Sequence, residues 1–76
     1  MKSKVVHESR GRLRVQMLPK KMTLEQADLL EAFLCQLEGV ERAVVHERTA
    51  CAVIWYSGDR QAVLAGLGRF SYGRAA

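Results

Sequence analysis

Val40-Glu41-Arg42-Ala43-Val44-Val45-His46-Glu47-Arg48-Thr49-Ala50-Cys51-Ala52-Val53-Ile54-Trp55-Tyr56 is the stretch that decides the fold. Its two β-rich runs, Val40 to Val45 and Ala50 to Tyr56, flank His46-Glu47-Arg48-Thr49, and this pattern predicts a hairpin with a four-residue loop. If Val45 pairs with Ala50, Ala52, Ile54 and Tyr56 share a face with Val45. Val44, Cys51, Val53 and Trp55 then point to the other face, because side chains alternate along a strand.

Working upstream, Thr23-Leu24-Glu25-Gln26 has the form of a capping box, so a helix is expected to start there. Ala27, Leu30, Phe33, Leu34 and Leu37 fall on one side of that helix, and Glu25, Asp28, Ala32 and Cys35 fall on the opposite side. Glu38-Gly39 is expected to end it, with Gly39 as a left-handed cap. Before the helix, Val5 to Leu18 reads as one strand with a bulge or bend at Ser9-Arg10-Gly11. Within it Leu13, Val15 and Met17 alternate with Arg12, Arg14 and Gln16. Pro19 lacks an amide donor and should end that strand, leaving Lys20-Lys21-Met22 as a basic loop.

Downstream, Ser57-Gly58-Asp59 reads as a turn and N-cap for a second helix carrying Val63, Leu64 and Leu67 and stopped by Gly68. Phe70-Ser71-Tyr72 is the remaining candidate for a short last strand. The order is strand, helix, strand, strand, helix and a stub of strand. This is an α+β, ferredoxin-like βαββαβ sandwich in which two helices cover one face of an antiparallel sheet. Residues 1–76 read as a single domain with residues 1–3 and 73–76 frayed. In this topology the fourth strand covers the free side of the first. A short last strand would leave the first strand as an exposed edge able to pair with a second copy.

The chain has 76 residues, of which 49% are hydrophobic and 26% charged, with a formal net charge of +4. These values suit one small domain and argue against disorder. No apolar run approaches the roughly 20 residues of a membrane-spanning helix, and Met1-Lys2-Ser3-Lys4 leads into no signal-peptide core. With two cysteines and no disulfide framework, a reduced, cytoplasmic location is expected.

The sheet face away from the helices is the chief candidate site. Arg12, Arg14, Gln16, Val44, Val53 and Trp55 should lie there, with Cys51 beside them: an apolar strip containing a Trp, rimmed by arginine. That composition resembles interface hot spots. In the plainer reading, Trp55 lies flat under arginine stems and needs no partner.

Single-stranded nucleic acid is an alternative ligand for such a face, since bases stack on outward aromatics. The RNA-recognition signature needs a basic residue, Gly and paired aromatics on the third strand. Thr49-Ala50-Cys51-Ala52-Val53 offers none of these, so nucleic acid is not favoured.

Metal binding would have to use non-standard ligands, His46 and Cys51, which lie diagonally across the hairpin. Cys35 belongs on the solvent side of the first helix, too far from Cys51 to bridge or share an ion. Catalysis is not expected: Glu8, Glu47 and Asp59 lie on separate loops, and Ser9, Ser57 and Ser71 have no histidine neighbour in sequence.

Val5-Val6-His7-Glu8 followed by Gly11-Arg12-Leu13-Arg14, then Leu37-Glu38-Gly39-Val40 and Val53-Ile54-Trp55-Tyr56, together resemble the heavy-metal-associated type of domain. More narrowly, they are similar to its variant form at the N-terminus of bacterial heavy-metal-translocating P-type ATPases, over roughly Val5 to Leu67. The resemblance implies a metallochaperone or the cytosolic module of a transport ATPase, and copper, zinc or cadmium as the metals such domains bind. It also implies a Met-x-Cys-x-x-Cys loop after the first strand. That loop here reads Met17-Leu18-Pro19-Lys20-Lys21-Met22, without cysteines and with two lysines that repel a cation. Met17 should face the core, leaving Met22 as the only soft atom in the loop, so the family's metal-ligand role carries over to no residue. The expected function is a non-catalytic regulatory or docking module acting through the open sheet face. Its expected partner is another domain of a parent membrane ATPase or an identical copy.

Overall fold

In the computed structural model, which describes residues 2–18 and 20–70, the stretch read as one long strand is a hairpin. β1 (Lys2–Ser9) and β2 (Arg12–Leu18) run antiparallel, and Ser9 pairs with Arg12 across the turn at Arg10-Gly11. Gly11 holds φ at +75°, a conformation that costs a side chain nothing only when there is none. A continuous strand over residues 5–18 would extend about 46 Å at about 3.3 Å per residue. The whole domain measures only 29 Å along its longest axis, so the chain must reverse.

The remaining elements are α1 (Leu24–Cys35), β3 (Val40–His46), β4 (Cys51–Tyr56) and α2 (Arg60–Gly68). The sheet is antiparallel throughout, in the order β1-β2-β4-β3. The fold class read from the sequence holds: α+β, two helices on one face of an antiparallel sheet, with a strand order compatible with a ferredoxin-like fold. The element order is ββαββα, because the place beside β2 that a C-terminal strand would take is filled by β1. β2 is therefore an inner strand, and the expected pairing of its bare edge with a second copy is corrected. The expected last strand falls largely outside the described residues. Phe70 alone is described; it is buried, and its ring lies 4.9 Å from that of Phe33.

α1 starts as its capping box requires. Thr23 Oγ1 accepts from the Gln26 amide at 3.1 Å, and Gln26 Oε1 accepts from the Thr23 amide at 3.0 Å. The helix stops at Cys35, earlier than Gly39, because the amides of Gln36 and Leu37 turn to the carbonyls three residues back. Gly39, at φ +89°, serves the entry to β3 instead: its carbonyl accepts from the Ser57 amide at 2.8 Å, and a Cβ there would sit 3.0 Å from the Ser57 oxygen. Asp59 caps α2 by accepting from the Gln61 amide at 2.9 Å.

The core lies between the helices and one sheet face. Leu13, Val15 and Met17 of β2 and Ala52 and Ile54 of β4 meet Leu30 and Leu34 of α1 and Val63 and Leu67 of α2, all almost fully buried. Because β2 and β4 place every second side chain there, their intervening residues are committed to the opposite face. No helix is long and apolar enough to cross a membrane among the described residues.

Candidate functional site

The open sheet face is built by cross-strand register. Arg12 stands opposite Trp55, Arg14 opposite Val53 and Gln16 opposite Cys51. From the other side, Arg42 stands opposite Trp55, Val44 opposite Val53 and His46 opposite Cys51. The pairing is displaced by two residues from the one read in sequence: Val45 meets Ala52 rather than Ala50, and β3 runs on to His46. A two-residue displacement preserves the face, so Val44, Val53 and Trp55 lie where they were expected. On the outer side, β1 adds His7 opposite Arg14 and Lys4 opposite Gln16, beyond a bulge at Val6.

Four cationic side chains therefore share one face, Lys4, Arg12, Arg14 and Arg42, and all four are exposed. The single ion pair among the described residues, Arg60 with Glu8, involves none of them. Clustered cations repel one another, and an approaching carboxylate or phosphate relieves that repulsion. Next to them, His7, Arg12, Arg14, Val53 and Trp55 line an open groove of about 350 Å³.

Trp55 is half-buried, and the guanidinium carbon of Arg42 lies 5.1 Å from its ring centroid. The arginine stem covering the tryptophan thus comes from β3, and at an exposed site such a contact is worth about 0.5–1 kcal/mol. One side of the ring is occupied in this way, and Trp55 also lines the groove. Arg42 and His7 were missed in the sequence reading, which named His46 only as a metal-ligand candidate. The alternation that places Val44 on this face also places Arg42 and His46 there, whereas His7 needed the β1–β2 turn to be recognised.

Gln16 serves the fold more than the surface. Its Nε2 donates to the carbonyl oxygens of Thr49 at 2.7 Å and Ala50 at 3.1 Å, and its Oε1 accepts from Cys51 Sγ at 3.3 Å. The Met17 amide also donates to the Ala50 oxygen at 2.7 Å. These bonds hold Ala50, fully buried, at φ +53°, a left-handed conformation that a residue with a Cβ seldom adopts. Gln16→Leu is expected to cost about 1–3 kcal/mol by leaving the Thr49 carbonyl and the Cys51 thiol without this partner. Urea denaturation should show that loss, and Arg14→Leu on the same strand should stay within about 0.5 kcal/mol.

The two metal-ligand candidates are direct cross-strand neighbours rather than diagonal ones, but they differ in access: His46 is exposed, whereas Cys51 is buried, only 4% exposed. Cys35 is exposed on α1, and both thiols are free. No group of three or more His, Cys, Asp or Glu side chains is placed to hold a metal ion among the described residues. Met17 is buried in the core and Met22 packs against it, leaving exposed Lys20 and Lys21 in the loop between β2 and α1. No protein-family model matches the chain, and no curated protein matches it.

Proposed function

We propose that this domain is a non-catalytic docking module whose open sheet face receives an acidic protein surface, with Trp55, Val53 and Val44 at its centre and Arg12, Arg14 and Arg42 around them. The observation that carries this reading is the cationic cluster without a carboxylate partner among the described residues, set on an apolar strip. Apolar area at the centre would supply affinity, and the arginines would supply orientation and a fast approach. The resemblance to the cysteine-less heavy-metal-associated domains supports a cytosolic place in a metal-transporting P-type ATPase, where the module would regulate by contact rather than by chelation.

Titrating ¹⁵N-labelled protein with an oligo-glutamate peptide tests the reading. Amide shifts should concentrate on β2, β4 and β3 at open-face positions, and Trp55→Ala should weaken binding by about tenfold. Shifts spread evenly over both faces, or unaltered affinity in Trp55→Ala, would remove the proposed face. Nucleic acid fits less well, because Arg42 already lies over the Trp55 ring that a base would use.

Metal sensing through His46 and Cys51 makes a separate prediction. Calorimetric titration of the reduced protein with zinc or copper(I) should give no saturable heat at micromolar concentration, because the thiol donates to Gln16 and a third ligand is wanting among the described residues. A saturable signal that vanishes in His46→Ala would replace docking with metal binding as the module's role.

A further inference from the structure

α1 carries Glu25, Asp28 and Glu31 and no Lys or Arg between Leu24 and Cys35. Its inward side is committed to the core through Ala27, Leu30 and Leu34. The outward side presents Glu25, Asp28 and Ala32, with Leu29 40% exposed among them. An acidic surface with an exposed apolar side chain along its edge therefore lies on the opposite side of the domain from the basic, apolar-centred sheet face. In charge sign each surface is the complement of the other, and each carries an exposed or half-buried apolar side chain.

We infer that the acidic surface received by the open sheet face is the outward side of α1 from a second copy of this chain. This rests on the docking reading above and names its partner. Arg12, Arg14 and Arg42 would meet Glu25, Asp28 and Glu31, and Leu29 would lie against Val53 and Trp55. Because donor and acceptor are different surfaces on opposite sides, the contact is head-to-tail. Two copies joined this way still offer one free surface each, so association continues past the dimer into an open chain. Salt at about 1 M, where the Debye length falls to about 3 Å, should dissolve it.

Sedimentation across a concentration series, up to millimolar at low ionic strength, gives the test. The wild-type average mass should rise with concentration beyond that of a dimer and return to the monomer in high salt. Arg12→Glu with Arg14→Glu, and separately Asp28→Lys with Glu31→Lys, should each be monomeric. Mixed together, the two variants should associate again, since each carries the surface the other now complements. The first variant has a net charge near zero (four added negative units against the +4 of the chain), so bulk attraction would not explain that recovery. All four positions lie outside the core; circular dichroism checks folding, and Asp28→Lys alone replaces the helix variant should the pair unfold. A wild-type monomer throughout overturns the inference, as does a dimer that grows no further. Association that survives Arg12→Glu with Arg14→Glu overturns it too. If the wild type stays monomeric yet binds oligo-glutamate through Arg12 and Arg14, the docking face stands with a different partner. If it does neither, both fall.

Discussion

Arg12→Glu combined with Arg14→Glu is expected to weaken oligo-glutamate binding about 30-fold or more while leaving the unfolding midpoint almost unchanged. The two side chains lie on β2 with Val53 and Trp55 opposite them, line the same groove, and are exposed. Each exposed charge pair is worth about 0.2–1 kcal/mol. Replacing two attractive pairs by two repulsive ones counts each of them twice, so the expected change is about 0.8–4 kcal/mol at low salt, and a loss of about 30-fold (about 2 kcal/mol) lies near its middle. Stability should respond in the other direction if it responds at all, because the substitutions relieve repulsion within the cationic cluster that includes Arg42 and Lys4. A loss of affinity accompanied by an equal loss of stability would mean that the arginines support the fold, and the docking reading would lose its basis. Isothermal titration beside urea denaturation separates the two.

Ile54→Ala has the largest expected effect on folding. Ile54 is fully buried on β4, between Leu13 on one neighbouring strand and Ala43 on the other. Such truncations cost about 2–5 kcal/mol, from the lost transfer of the side chain and the cavity left behind. A chain of this length has about 4–11 kcal/mol to lose. The thermal midpoint should fall by about 10–30 °C, and Ala43 and Ala52 are too small to fill the space. Val53→Ala, one residue earlier, should cost under about 1 kcal/mol in stability and instead reduce oligo-glutamate affinity, because Val53 faces the groove. Equal destabilisation by the two substitutions would show that both faces of β4 are core, which would remove the open face altogether.

The contrast between Ile54 and Val53 also explains what was legible in the sequence. A period-two pattern assigns faces without needing the register, so Arg12, Arg14, Val44, Val53 and Trp55 were placed correctly although the hairpin pairing is displaced by two residues. The α1 start was legible because a capping box is closed within four residues, Thr23 to Gln26. The Ser9-Arg10-Gly11 break was not decided by pattern: a bulge and a tight turn draw on the same residue types, and the strands on either side alternate equally well. Arg42 was overlooked because the reading of β3 followed its valines, although the alternation that places Val44 on the open face places Arg42 there too.

The sequence by itself determined the start of α1, the strands β3 and β4, the second helix and the composition of the open face, since these follow from local periodicity and capping. Only the tertiary structure decided that the N-terminal strand folds back beside β2. The short dimensions of the domain impose that reversal, and residues near Gly11 alone do not. Tertiary structure also decided that Arg42 lies over Trp55, that Gln16 and the Met17 amide anchor the 47–50 loop, and that the anionic side of α1 lies opposite the cationic sheet. Each of these depends on which distant segments the packed core brings together, and a linear pattern does not encode that pairing.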